Sequence, residues 1–120
     1  MRRDCEVRLE RILSSYQVCA GVVEALSDPT RRRILLTLMQ SDLTGIRVGE
    51  ISRKSFLTRA AVSHHLRILR EQGIVGVRRE GTRNYYYLSA DREKWRALTE
   101  LADAIYEGVC ALGDGTQKDC

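Results

Sequence analysis

"AAVSHHLRIL", residues 60–69, carries two patterns at once. Wound at 3.6 residues per turn, it puts Val62, Leu66 and Leu69 on one side and Ala60, Ser63, His64 and Arg67 on the other. The first side is core, and the second is small and rich in hydrogen-bonding groups. Thr58 just upstream is a suitable N-cap and Gly73 downstream a stop, so a helix is predicted over Arg59–Gln72. Before it, "RVGEISRKS" (47–55) has Val48 and Ile51 three apart, which predicts a short helix, with "FLT" (56–58) as the turn. Two helices joined in this way make a helix-turn-helix, whose second helix presents its outer face to a partner. On that face Arg59 and Arg67 suit guanine or phosphate, and Ser63 and His64 suit base edges or phosphate oxygens. Thr58 and Ala60 complete the expected contact surface.

Upstream, "SDPTRRRILLTLM" (27–39) opens a helix with Asp28 as N-cap and Pro29 at the first helical position, and it turns Ile34, Leu35 and Leu38 inward. It is expected to run to about Gln40. Earlier still, Cys5, Leu9, Ile12, Tyr16, Cys19, Val23 and Leu26 recur at steps of four and three, the seam of an amphipathic helix with a break expected near Gly21. Downstream, "GIVGVRREGTRNYYYLS" (73–89) predicts a β-hairpin, with Val75 and Val77 in its first strand and a turn at Glu80-Gly81. In the second strand Asn84, Tyr86 and Leu88 take one face, and Arg83, Tyr85 and Tyr87 the other. The tyrosines are expected to pack on the helices rather than to stack on single-stranded bases. Arg78, Arg79 and Arg83 surround the tip of this wing, within reach of phosphates or a minor groove. "DREKWRALTELADAIYEGVCAL" (91–112) predicts a last helix with Trp95, Leu98, Leu101, Ala102, Ile105, Val109 and Leu112 in one stripe.

Charge agrees with a polyanion partner. The net charge is +4, but Arg31–Arg83 holds twelve Lys or Arg against four acids, so the centre carries +8 and the flanks −4. Nearly all of that positive charge is arginine, which suits phosphate and base-edge contacts. A length of 120 residues, 43% hydrophobic and 30% charged residues and one proline describe a helix-rich globular domain. No apolar run approaches the ~20 residues of a membrane span, and "MRRDCEVRLERIL" lacks the apolar core of a secretory signal, so a cytoplasmic location is expected. The residues supply no phosphate loop, no paired carboxylates and no metal-ligand spacing, so an enzyme is not expected. His64 and His65 diverge by about 100° on a helix, whereas a helical metal pair needs ligands at i and i+4. His65, at the edge of the apolar side, is expected to pack or cap. The alternative of a different class is a winged helix used only for protein contacts, which predicts little salt dependence.

Taken in order and spacing, "ALSDPTRRRILLTL", "VGEI", "AAVSHHLRIL" and "GIVGVRREGTRNYYYLS" resemble the ArsR/SmtB family of small winged-helix repressors, over roughly residues 25–89. The resemblance implies a mainly α fold with a small β-hairpin wing, homodimeric through the first and last helices. It implies that the fourth helix enters the major groove, that Arg59, Ser63 and His64 contact the operator, and that Arg79 and Arg83 serve the wing. It also implies repression relieved by an effector. The two terminal helices independently carry long apolar faces that the central motif is too small to cover. The expected interface draws on Leu9, Ile12, Tyr16, Val23, Trp95, Leu98, Leu101, Ile105 and Val109, and a two-fold pair predicts an inverted-repeat operator in double-stranded DNA. The expected division is a dimerisation helix (1–26), a winged helix-turn-helix core (27–89), a second dimerisation helix (90–112) and a flexible tail (113–120).

The effector is less legible. Where the resemblance places two thiolates in the third helix, this chain has Arg47 and Gly49, and the last helix has no histidine for the family's other site. Four cysteines without a CxxC pair are expected to be mostly free thiols in a reducing compartment. Cys5, Cys19 and Cys110 lie on or near the expected interface. They make As(III) or another soft metal ion the candidate ligand, with oxidation or sulfur uptake by a thiol pair as the alternative. A buried cysteine that acts only as a small hydrophobe is the third reading.

Overall fold

A computed structural model describes residues 2–113 of the chain. The expected tail beyond Gly113, with Cys120, lies outside the described residues. The element order is α1 (Arg2–Leu26), α2 (Pro29–Met39), α3 (Val48–Ser55), α4 (Arg59–Glu71), β1 (Val75–Glu80), β2 (Arg83–Leu88) and α5 (Arg92–Gly113). The class is the expected one, mainly helical with one antiparallel hairpin. The chain divides into two compact units, one of residues up to Ala20 and from Arg92 onward, the other of Gly21–Asp91. Among the described residues no helix is long and apolar enough to cross a membrane.

The Gly21–Asp91 unit is built on punctuated helices. The Asp28 carboxylate accepts the N–H groups of Thr30 at 2.7 Å and Arg31 at 3.2 Å, so the first turn of α2 is capped as its sequence foretells. Those donors, Arg31 first, hold the Asp28 carboxyl below its ordinary pKa. α2 turns Ile34, Leu35 and Leu38 inward against Ile51 of α3 and Val62, Leu66 and Leu69 of α4, all buried. Fully burying one such side chain stabilises the fold by about 1.5–3 kcal/mol. α4 ends where Gly73 takes φ 73° and the Ile74 N–H reaches the Leu69 carbonyl at 3.0 Å.

Three details depart from the sequence reading. α1 runs unbroken through Gly21, against which the Gln72 side chain at the end of α4 lies so closely that a Cβ would stand 2.0 Å from its Oε1. The glycine is thus a close approach and not a break. The hairpin turn falls one residue later than expected, at Gly81-Thr82, since Glu80 is paired with Arg83 and Gly81 adopts φ 61°. Ile46, just before α3, bridges Tyr86 of β2, with N–H donations of 2.9 Å and 2.8 Å in the two directions, and adds a short third rung to the wing. The register otherwise sets Gly76 against Tyr87 and Arg78 against Tyr85 on one face, with Val77 against Tyr86 on the other. All three tyrosines are half-buried, in keeping with packing.

The unit formed by the chain ends buries small residues. Ser15 and Cys19 of α1 and Leu101 and Ala104 of α5 are covered. Arg11 joins the two helices, donating through Nε to Glu100 at 2.6 Å and through Nη1 to Glu107 at 2.7 Å. Both carboxylates raise the Arg11 pKa. The larger apolar side chains look outward: Val7, Leu9, Leu13 and Tyr16 on α1, and Ile105, Tyr106, Val109 and Leu112 on α5, are all about half exposed or more. Of the residues nominated for an interface, Leu9, Tyr16, Ile105 and Val109 are exposed, Ile12, Val23, Trp95 and Leu98 are half-buried, and Leu101 is buried within the chain.

Candidate nucleic-acid interface

α4 is held from beneath and open above. Thr58 caps it, its hydroxyl accepting the Ala61 N–H at 3.1 Å, so this side chain serves the fold. Val62, Leu66 and Leu69 fasten the lower side to the core, and Arg59, Ala60, Ser63, His64 and Arg67 lie exposed on the upper side. Among the described residues the side chains of Arg59, Ser63 and Arg67 have no hydrogen bond or ion pair. Their donors are unspent, which is what a surface that reads base edges and phosphates requires.

The two histidines take different stations. His64 is exposed, its ring meeting that of His65 edge-on at 5.1 Å between centroids. His65 is half-buried between α4 and α2, with Nδ1 at 3.5 Å from Arg31 Nη1. Burial pushes the His65 pKa down. A guanidinium is only a donor, so Nδ1 facing it fits the neutral ring with its proton on Nε2. Arg31 is anchored in turn by the Ala25 carbonyl at 2.8 Å and by Asp28 at 3.6 Å. His65 therefore packs, as its place at the edge of the apolar side foretells.

Beside α4 an open groove of about 830 Å³ lies between the start of α3 and the wing, lined by Arg47, Arg53, Arg59, Asn84 and Tyr85 among others. Glu50 pairs with Arg53 and Lys54, leaving Arg47 and Arg59 without an acid among the described residues. Gly49 makes room for Arg59, for a Cβ there would stand 2.9 Å from its Nη2. At a position where the resemblance would seat a thiolate, this chain lays a guanidinium. The +8 centre already contained Arg47 and Arg53, yet no local pattern singled them out; only the fold brings them to this groove.

The wing divides its arginines. Arg78 lies over the Tyr85 ring at 4.8 Å, donates to the Thr44 carbonyl at 3.2 Å and pairs with Glu80, so it is engaged within the chain. Arg79 gives its Nε to the Gly81 carbonyl at 2.9 Å, and exposed Arg83 has no partner among the described residues.

Among the described residues the cysteines nominated for an effector form no chelate. Cys19 is fully buried, Cys110 is exposed, and Cys5 is not a free thiol, contrary to expectation. Among the described residues no three His, Cys, Asp or Glu side chains gather where they would hold a metal. The Tyr106 hydroxyl donates to the Cys110 sulfur, which raises the tyrosine pKa.

This geometry has known counterparts. The family model for bacterial regulatory proteins of the arsR family matches residues 28–77. The chain is 38% identical over 95 residues to the transcriptional repressor SmtB homolog of Synechocystis, covering 79% of this chain and 69% of that protein. Among solved structures, NolR from Sinorhizobium fredii is 31% identical with a TM-score of 0.57, over 75% of this chain and 86% of that one. The cadmium metal-sensor CMTR from Mycobacterium tuberculosis is 39% identical with a TM-score of 0.52, over 68% of this chain and 81% of that one. The family model and these relatives are those of transcriptional regulators and not of enzymes, and the chain belongs with them to the ArsR/SmtB family of DNA-binding winged-helix transcriptional regulators.

Proposed function

We propose that the chain is a repressor that reads an inverted-repeat operator in double-stranded DNA as a homodimer and leaves it when an effector arrives. The observation that carries this reading is the upper side of α4, where Arg59, Ala60, Ser63, His64 and Arg67 are exposed over a buried Val62, Leu66 and Leu69. Arg67 is assigned to base edges; Arg79 and Arg83 of the wing, with Arg47 in the groove, are assigned to phosphates. Arg67→Ala should weaken a selected duplex by roughly tenfold or more while sparing random DNA. Arg83→Ala should weaken every duplex alike and reduce the slope of log affinity against log salt by about 0.9. Titrations over several salt concentrations measure both, and equal losses on every sequence for the two variants would contradict these roles.

The uncovered apolar faces of α1 and α5 support the second copy. Reading successive major grooves requires two α4 helices about one DNA turn, ~34 Å, apart, which a two-fold pair supplies. For the effector we infer chemistry at thiols, because α5 has no histidine and Cys19 and Cys110 are free. The cadmium-sensing relative favours a soft ion such as As(III). Among the described residues no ligand cluster gathers, and on this reading thiolates of two copies would meet. An oxidant or reactive sulfur species needs only exposed Cys110 to begin. Release of DNA by arsenite and by peroxide, compared between the parent and Cys19→Ser/Cys110→Ser, separates these inputs; unchanged release by both in the variant rules out thiol sensing.

A further inference from the structure

Phe56 is an anomaly in a turn that otherwise obeys its chemistry. Among the described residues it alone, glycines aside, has a positive φ, at 59° with ψ 35°, and it is the most exposed large apolar side chain, at 91%. A left-handed backbone suits glycine or asparagine, and a bulky aromatic there is strained. Among the described residues nothing rewards the ring, which reaches no core. The backbone around it is nevertheless held firmly. Phe56 and Leu57 both donate their N–H groups to the Ser52 carbonyl, the Ser52 hydroxyl donates to the Leu57 carbonyl, and Arg33 reaches the Ser55 carbonyl at 3.5 Å. These bonds hold the backbone that carries the ring, two residues before Thr58, the N-cap of the helix that reads DNA.

The surroundings indicate what meets it. Arg53, Lys54 and Arg59 lie within three residues of Phe56 in sequence, and Arg33 touches the preceding residue; Glu50, the nearby acid, is spent on Arg53 and Lys54. An apolar protein surface would have to strip water from these cations, whereas duplex DNA offers phosphates to them and an apolar feature to the ring. In the major groove that feature is the C5-methyl of thymine. We propose that Phe56 is a specificity-determining DNA contact whose ring packs against a thymine methyl at the edge of the groove entered by α4. The proposal rests on the DNA-reading function above and adds to it an apolar contact from outside the helix.

The test uses the full chain and a duplex that the parent protein has selected from a random pool. Phe56→Gly relieves the left-handed strain, so its melting temperature should equal or exceed the parent's, which separates loss of contact from loss of fold. Its affinity for the selected duplex should fall about tenfold, the scale of removing one largely buried apolar side chain. The salt slope should not move, because no charge is lost. Replacing thymine by deoxyuridine in that duplex should cost the parent several-fold more than it costs Phe56→Gly. Parental affinity in Phe56→Gly, or equal losses from deoxyuridine in both proteins, overturns the assignment while leaving the DNA-reading function standing. A parent that selects no duplex overturns both.

Discussion

The two units of this molecule treat their apolar residues in opposite ways. Between Gly21 and Asp91, the large side chains that periodicity nominates, Ile34, Leu38, Ile51, Val62, Leu66 and Leu69, are all at or near complete burial. In the unit made by the chain ends, Ser15, Cys19 and Ala104 are the covered positions beside Leu101, while Leu9, Tyr16, Ile105 and Val109 remain open. A stripe of large apolar residues is thus evidence of an intended contact, but it does not say whether the contact lies within one chain. Small residues close the inner face of that unit while large ones stay exposed, which leaves the open apolar surface that the proposed second copy would cover.

The sharpest way to break that contrast is to truncate one side chain from each set. Leu66→Ala should lower the stability of the chain by about 2–5 kcal/mol in urea or guanidinium titrations, since it empties a sealed core. Val109→Ala, judged on the monomer, should change stability by less than about 0.5 kcal/mol. A charge at the same place acts on assembly: Val109→Asp should convert a micromolar sample to monomer by sedimentation. It should weaken a two-half-site operator on the order of 100-fold while leaving the binding of a single half-site unchanged. If Val109→Asp left the mass distribution and the operator affinity untouched, the open faces would not be meeting a second copy.

Smaller effects probe how the Gly21–Asp91 unit is tied together. Asp28→Ala removes the cap of α2 and should cost about 1 kcal/mol, read as a lower melting temperature. The pH dependence has a definite sign. Burial lowers the His65 pKa from its ordinary 6.5, so as pH falls the unfolded chain takes up that proton first. The stability that goes with the neutral ring is therefore complete above about pH 6.5 and is lost as the pH falls below it. Asp28, with its pKa lowered from 3.8, holds its contribution above that value and loses it as the pH falls through the folded one. Denaturant midpoints at about pH 7.5 and pH 5 should differ for the parent and differ less for His65→Gln. Equal pH slopes in the two would contradict a buried, neutral His65.

Most of α2 and α4 was legible because their ends are marked by local chemistry, Asp28-Pro29, Thr58 and Gly73 each acting through the backbone beside them, whereas α3 was read only from the spacing of Val48 and Ile51. The outward face of α4 was legible for the same reason, its orientation following from Val62, Leu66 and Leu69 alone. What escaped depends on residues far apart in the chain. Gly21 reads as a break until Gln72 is seen above it, Ile46 has no strand pattern of its own until Tyr86 pairs with it, and Arg78 looks available until Tyr85 and Thr44 engage it. The seam on α1 was legible in composition, and Leu9 and Tyr16 stand open as a face expected to need a partner should, while Cys19 of the same seam is buried within the chain, a split that period and hydrophobicity do not show. Phe56 gave no warning, because a bulky residue carries no signal for a left-handed backbone.

The way Arg78 is held has a thermodynamic consequence for the hairpin. Lying on an aromatic ring and tied to both Glu80 and the loop before α3, it braces the outer half of the β-ribbon before any duplex is present. Ordering a residue's backbone takes about 1–2 kcal/mol, and here that ordering is complete at the moment of folding. On the proposed reading, docking of the wing would then have mainly the side chains of Arg79 and Arg83 left to order, so affinity would be gained by pre-organisation and not by adding cations.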